Sequence, residues 1–383
     1  MKKKKKEKKI LYQLIFSAFL LFSNAYLVKA NSDILSQDST GKYCINTEQD
    51  YYNFIENIQN YNNKTVILCN DIDISDVPEA TSSFGGILNG KGHTITYASK
   101  EAKENIAVFP FRINDNGIVE NINVQIDESY AYNSETDEFQ TVFSRCDGIA
   151  KGITIKGNVT CIYDDEDTDV YIGAIEGNGT LMDSSIAITY DLQSEKTIEE
   201  IADDIVDNDL SFEFCQLGTI NTGITYQNCI GYGQYSEAIK SLADELEPKI
   251  KDNTWGYLCV SFTRKSFFST SASATNCYYD KENMPDIKIM SEYITNRDNN
   301  KEFPNYADFG KTTSEMKNQG TYEGFDFNKK WTISPEDNNG YPYYNPQTEE
   351  ITLKVQASTE PKVWSTCLLY TFSEPTRRTP ISY

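Results

Sequence analysis

The sequence predicts an all-β chain, a right-handed parallel β-helix (solenoid) with an N-terminal helical cap, flanking helical inserts and a C-terminal cap. Three observations carry this expectation. First, Ser83 to Tyr97 (SFGGILNGKGHTITY) sets two short apolar arms, Phe84, Ile87 and Leu88 and then Ile95 and Tyr97, around a turn with Gly90 and Gly92. Glycines so spaced allow the positive-φ corners that a tightly coiled strand requires. Second, a degenerate unit recurs from Ala107: an apolar pair, a glycine turn and an alternating strand. It reads Val108-Phe109, Gly117, Ile122-Asn123-Val124; then Val142-Phe143, Gly148, Ile153-Thr154-Ile155; then Ala174-Ile175, Gly179, Ile186-Ala187-Ile188. The anchors Phe109, Phe143 and Ile175 recur at nearly even intervals. A unit of that length cannot bury its apolar face alone, so neighbours stack. Third, Phe325, Phe327, Trp331, Tyr341, Tyr343 and Tyr344 gather near the end, where large rings would cover the open end of such a stack.

In chain order, residues 31–42 are polar. Thr47 is placed to N-cap a helix running to about Gln59, with Tyr51, Phe54, Ile55 and Ile58 on one face. TVIL (65–68) reads as a strand, and Asp71, Asp73 and Asp76 around Ile72 and Ile74 give the alternation of a half-buried one. The 83–97 stretch is then expected to form the first full coil. A fourth unit, Leu217 to Tyr232, arrives late because Ser194 to Asn208 is inserted, with Ile198, Ile201 and Ile205 on one helical face. Ser236 to Ile250 is a second helical insert, and Tyr257 to Phe262 and Ala274 to Tyr279 supply further strand. Thr312 and Glu315 form a capping-box pattern over a short helix. The expected divisions are 1–30 signal peptide, 31–97 N-terminal cap and first coil, 98–290 repeats with helical inserts, 291–345 C-terminal cap, and a 346–383 tail reading as a truncated next module.

The chain opens MKKKKKEKKI and continues with an apolar run from Leu11 to Val28, ending in Val28-Lys29-Ala30. A basic start, an apolar stretch and small residues before a cut are the marks of a secretory signal peptide. Gln13, Ser17, Ser23 and Asn24 interrupt the run, which favours cleavage after Ala30 over an anchor helix. Cleavage removes eight Lys and one Glu from 35 basic and 57 acidic residues, so the charge moves from −22 to −29. A surface this acidic repels phosphate backbones and argues against nucleic acid as a partner. After cleavage no second segment is apolar enough to imply a membrane partner. Nine Cys without a C-x-x-C spacing, and a single His, argue against a metal cluster. Cys44 and Cys69 flank the first helix and would pair if oxidised; equally, they read as small buried residues of a coil stack.

Here the residues resemble a known family. FGGILNGKGHTI (84–95) is similar to the coil pattern F-x-G-x-L-x-G-x-G-H-x-I of GLUG-motif, pectin-lyase-like β-helix modules, found in secreted and surface proteins of Gram-positive bacteria. NCYYD (276–280), GKTTSEMK (310–317), FDFNKKWTI (325–333) and NNGYPYY (338–344) look like the terminal cap of the same modules. The likeness covers roughly residues 43–345. It departs in the middle, where Ala107-Val108-Phe109-Pro110, Thr141-Val142-Phe143-Ser144 and Gly173-Ala174-Ile175-Glu176 stand in place of a Gly-Leu-apolar-Gly step. The resemblance implies a non-catalytic stalk or adhesion surface.

Candidate chemistry is sparse. One His, His93, cannot build a His-based triad or a two-His zinc site, and its place in a coil motif points to a turn contact. Asp164, Asp165, Glu166, Asp167 and Asp169 form an acidic loop that would offer calcium oxygen ligands, although a solvated loop is the simpler reading. Tyr278, Tyr279, Tyr341 and Tyr343 are candidates for stacking on sugar rings, against a purely structural role in closing the stack. No catalytic constellation emerges. The expectation is therefore an exported, non-enzymatic surface or secreted protein for adhesion, with a host glycan, a host protein or the cell wall as partner. The alternative is a polysaccharide lyase or hydrolase on the same scaffold, which requires carboxylates that converge across coils.

Overall fold

The structure is a computed structural model and describes residues 35–78, 80, 82–98, 107–132, 140–163, 168–218, 223–251, 254–261, 273–291 and 308–345. The signal peptide and the tail expected from the sequence lie outside the described residues. The chain runs through β1 (Tyr43–Ile45), helix α1 (Glu48–Glu56), β2 (Thr65–Leu68), β3 (Ile72–Ile74), β4 (Ile87–Asn89) and β5 (Thr94–Ala98). Next come β6 (Arg112–Ile113), β7 (Ile118–Tyr132), β8 (Gln140–Cys146), β9 (Ile149–Tyr163), β10 (Val170–Glu176), β11 (Thr180–Met182) and β12 (Ser185–Gln193). Helix α2 (Ile198–Asp207) leads to β13 (Ser211–Cys215), β14 (Thr225–Gln227), β15 (Ile230–Gly231) and β16 (Gln234–Tyr235). Helix α3 (Glu237–Leu246) leads to β17 (Tyr257–Ser261), β18 (Ser273–Thr275), β19 (Tyr278–Asp280) and β20 (Ile287–Ile289). The last described elements are β21 (Gly310–Lys311), α4 (Thr313–Met316), β22 (Trp331–Thr332) and β23 (Tyr343–Tyr344).

These strands make an all-β architecture dominated by one large parallel sheet, ordered β1-β2-β4-β7-β9-β12-β15-β19-β21, and a second sheet ordered β20-β17-β13-β10-β8-β6. Ile87 pairs with Ile118, Ile118 with Ile149 and Ile149 with Thr180, so the step between passes is constant. The step then lengthens, to Thr225 and again to Ser273, because α2 and α3 are interposed. The ladder begins before residues 83–97: Val66 already pairs with Leu88, Ile72 with Ile95 and Tyr43 with Val66. The stretch expected as the first full coil is therefore preceded by the passes carrying β1, β2 and β3. These strands have only three or four residues each, too short for their own pattern to reveal what they pair with.

Register explains the apolar pattern. Leu88, Val119, Ala150, Leu181 and Tyr226 occupy equivalent positions in successive passes, and all are buried. Ile95, Val124, Ile155 and Ile186 form a second buried column. Each such aliphatic side chain contributes about 1.5–3 kcal/mol relative to an exposed one. Helix α1 adds to the same core: Thr47 accepts from the Asp50 N–H at its N-terminus, and the Phe54 ring lies 5.6 Å from Phe84 and 5.9 Å from Phe111. Helices α2 and α3 are each capped by a hydroxyl, Thr197 and Ser236, and bury Ile201, Ile205, Ile239 and Leu242.

Two columns of small or corner-forming residues set the spacing. The Gly86, Gly117, Gly148 and Gly179 carbonyls accept from the N–H of Ile118, Ile149, Thr180 and Thr225. A Cβ on Gly148 would lie 2.3 Å from the Gly117 oxygen, and one on Gly179 would lie 2.3 Å from the Gly148 oxygen, so no side chain fits. The second column is Asn121, Gly152, Asp183, Asn228 and Asn276, each at a φ of 50 to 63°. Asn and Asp enter this left-handed region most readily after glycine. They also bond along the column, Asn228 Nδ2 donating to Asp183 Oδ1 at 3.0 Å and Asn276 Nδ2 to Asn228 Oδ1 at 3.3 Å.

The ring cluster near the end sits differently from its sequence expectation. Ile230, Tyr232 and Tyr278 point to the opposite side of the sheet from the core residues Cys229, Cys277 and Tyr279, and they form a separate cluster with Met316, Tyr322, Phe325, Trp331, Tyr341 and Tyr344. The segment runs back along the outer face: Gly324 packs against Asn276, Lys330 pairs with Asp183 at 3.2 Å, and Tyr344 packs against Gly152. The rings thus cover an apolar outer patch instead of the open end of the core. The reason is the period of two in a strand, which turns alternate residues of one apolar run outward.

Two outcomes test this account. Gly148→Ala is expected to lower stability by about 1–3 kcal/mol through overpacking, read as a lower urea midpoint. Gln216 is fully buried, and its amide replaces a missing rung: Oε1 accepts from the Ile188 N–H at 3.0 Å and Nε2 donates to the Ile188 carbonyl at 2.6 Å. Gln216→Leu should cost about 1–3 kcal/mol for each orphaned group, measured by the same denaturation.

Candidate functional site

The outer face of the large sheet is polar where β9, β12 and β16 meet. Lys156 on β9 lies between Gln125 of β7 and Ala187 of β12, and Thr189 pairs with Gln234. Ala187 and Gly233 are small, so the floor is recessed beside Lys156. The segment 335–341 stands against this face. Between them lie two adjoining cavities of about 420 and 440 Å³, which share Tyr232, Gln234 and Asn339. The first is also lined by Lys156, Thr189, Glu336 and Asn338, the second by Asn283, Lys317, Pro335 and Tyr341.

The wall is held by its own turn chemistry. Asn338, Asn339 and Gly340 have φ of 49, 54 and 83°, a run of left-handed residues that reverses the chain sharply. Asn338 Nδ2 donates to the Tyr341 and Pro342 carbonyls, each at 3.2 Å, and to the Tyr232 hydroxyl at 3.0 Å. The Tyr232 and Tyr341 rings stack at 4.4 Å and 11°. Burial pushes the Tyr232 hydroxyl up to about 12, partly offset by its bonds to Asn338 and Ser185, so it stays protonated and available for hydrogen bonding.

Asp280 anchors the wall to the last turns. Its fully buried carboxylate accepts from Tyr341 Oη at 2.5 Å, Thr313 Oγ1 at 2.7 Å, Asn283 Nδ2 at 3.0 Å and the N–H groups of Glu282 and Asn283 at 3.0 and 3.1 Å. Five donors on one carboxylate offset its desolvation. Burial, then the Asp280 carboxylate, push the Tyr341 hydroxyl upward, which keeps the proton on the donor of that bond.

Charge in the groove runs against that of the chain. Among the described residues no carboxylate lies within ion-pair distance of the Lys156 ammonium, and burial lowers its pKa. Lys317 lies 4.9 Å from the centre of the Tyr341 ring. Among the described residues Glu336 is the one carboxylate lining either cavity.

The sequence candidates fall in several places. Tyr278 and Tyr341 share the outer ring cluster; Tyr278 meets Tyr322 and Phe325 at 5.2 and 5.9 Å, and Tyr341 is 5% exposed. Tyr279 points into the core and donates to Asp286 at 2.9 Å. Tyr343 is half-buried on β23 opposite Thr332. The rings of Tyr278, Tyr279 and Tyr341 are thus engaged by protein. Asp164, Asp165, Glu166 and Asp167 lie outside the described residues, while Asp169 accepts from Tyr171 Oη at 3.0 Å and from the Ser211 N–H at 2.6 Å. Among the described residues no group of three His, Cys, Asp or Glu side chains is arranged to hold a metal ion. Cys44 and Cys69 are joined by a disulfide, with Cα atoms 5.9 Å apart. His93 is partly exposed, and its Nδ1 lies 3.0 Å from Asp71 Oδ1. Sequence reasoning missed Lys156, Tyr232, Gln234, Asn338 and Asn339; only the Asn-Asn-Gly turn of 338–340 carried a local signal.

No protein-family model matches the chain, and neither a curated protein nor a solved structure matches it. No helix of the described residues is long and apolar enough to cross a membrane.

Removing the anchor should release the wall. Asp280→Ala is expected to expose the segment after Gly310 to limited proteolysis at protease concentrations that leave the remainder intact, with Asp280→Asn intermediate. Equal resistance of all three proteins would show that Asp280 does not hold the wall.

Proposed function

We propose that this chain is an exported, non-enzymatic protein of right-handed parallel β-helix form, related to GLUG-type modules, that contacts a glycan of the host or cell wall through the groove between β9–β12–β16 and residues 335–341. The observation that carries this reading is the lining of the groove. Hydroxyl and amide side chains, Thr189, Gln234, Asn338 and Asn339, surround a stacked tyrosine pair, in cavities within the ~300–1,000 Å³ usual for ligands. Hydrolysis of a glycosidic bond typically uses two carboxyl groups flanking it, and among the described residues Glu336 is the one carboxylate that lines the cavities. The lining therefore favours holding a sugar over cleaving it.

Export is supported by the basic and apolar start of the sequence and by the Cys44–Cys69 disulfide, a bond that persists in oxidising compartments. The β-helix form is supported by the constant parallel register from Ile87 to Thr180 and by the glycine column that accompanies it. A glycan and host-protein binding screen of the exported chain, run beside a polysaccharide degradation assay, tests the reading. Saturable glycan binding without chain cleavage is expected. Release of reducing sugar or of an unsaturated product would replace this reading with an enzymatic one.

A further inference from the structure

The geometry points to an acidic saccharide as the groove's ligand, with the carboxylate of one sugar received by the Lys156 ammonium; this rests on the glycan-contact reading above. Three observations lead there. The first is charge contrast. The chain carries 57 acidic and 35 basic residues, so a lysine has abundant carboxylates to choose from. Lys156 nonetheless has no ion partner among the described residues, although it sits half-buried in a recess. An ammonium held in that state loses hydration without gaining a counter-charge, and an incoming carboxylate would supply one. Lys317, in the adjoining cavity, adds a second positive charge, and among the described lining residues Glu336 is the one opposing charge.

The second observation is that the remainder of the lining suits hydroxyl groups. Thr189, Gln234 and Asn339 each offer donors and acceptors on short side chains, and the floor at Ala187 and Gly233 presents no apolar pocket for a peptide side chain. The third concerns the backbone. The N–H and carbonyl groups of β12 are spent on β9 along one side and, from Ser185 to Tyr190, on β15, β16 and the Gln216 amide along the other. A peptide strand therefore has no free edge to join at this face. A monosaccharide carboxylate meets none of these obstacles. The net negative charge of the chain would oppose a long polyanion, which favours a short or terminal acidic sugar.

The test measures binding of 3′-sialyllactose, lactose, a hyaluronan tetrasaccharide, its carboxyl-reduced counterpart and an oligoglutamate peptide to the exported chain and to Lys156→Met and Lys156→Arg variants. At least one carboxylated sugar should bind about tenfold or more tightly than its neutral counterpart, and the sialyl and uronate arms tell which source is preferred. Lys156→Met, which keeps the aliphatic stem, should erase the preference, Lys156→Arg should retain it, and added salt should weaken it. Unchanged thermal unfolding of both variants assigns the loss to the charge. Equal binding of acidic and neutral sugars, an undiminished preference in Lys156→Met, or tighter binding of the peptide would overturn the acidic-sugar site while leaving a broader contact role standing. Absence of binding to every saccharide in the wider screen would overturn both.

Discussion

The close approach of successive passes at the glycine column is the constraint on which the remaining structure depends. At Gly117, Gly148 and Gly179 the backbone of one pass lies where a β-carbon of the next would have to be, and carbonyls there accept from the following pass. That contact fixes the register, and a strand's register decides which face every side chain takes. A shift of one residue would send Leu88, Val119, Ala150 and Leu181 to the solvent and bring Asn89, Glu120, Lys151 and Met182 into the core. The asparagine and aspartate corner is the second half of the same device. It turns the chain at equivalent points, and side-chain amides tie the turns at Asp183, Asn228 and Asn276 to one another.

Once register is fixed, the outer face follows, and with it the need for a cover. Ile230, Tyr232 and Tyr278 are forced outward because Cys229, Cys277 and Tyr279 point inward. An apolar patch of that kind on a sheet favours association or a lid. The chain supplies its own lid from residues 310–345, fastened by Asp280 at one end and by the Lys330–Asp183 pair along the side. The lid's Asn338–Gly340 turn forms one wall of the groove, so the site is a consequence of how the patch is covered.

Some levels of this were legible in the sequence and others were not. Strand alternation and the glycine turns at Gly117, Gly148 and Gly179 pointed to the all-β class and the recurring unit, because both are local signals. The helical inserts were equally local, and Thr197 and Ser236 cap α2 and α3 within the stretches expected to be helical. The spacing was read less well. The anchors Phe109, Phe143 and Ile175 lie on the side of the second sheet, where the register of β8 on β10 shifts between Gly173 and Ile175, whereas the large sheet keeps a constant step from Ile87 to Thr180. The position of the closing rings was not legible, since composition does not separate an outward Tyr232 from an inward Tyr226. Lys156 was invisible for another reason: its recess is made by Ala187, one pass further on, and by Asn338, far along the chain.

The location of the groove follows from a loss of regularity. Strands β7 and β9 run for 15 residues each and β12 for nine, and β12 pairs with β9 without a break from Ser185 to Gln193. The next pass, reached after α2, is broken into β15 and β16 of two residues each. A break in a buried ladder strands backbone groups, and Gln216 restores the bonds at Ile188 from its side chain. The restored rung is a side chain instead of a strand, so the chain crosses from β15 to β16 through Tyr232 and Gly233 without completing the ladder. Tyr232 then becomes the platform on which Tyr341 stacks, and the space beside it, over Ala187, stays open next to Lys156. The interrupted pass thus leaves a concave place beside Lys156 on a chain of net negative charge.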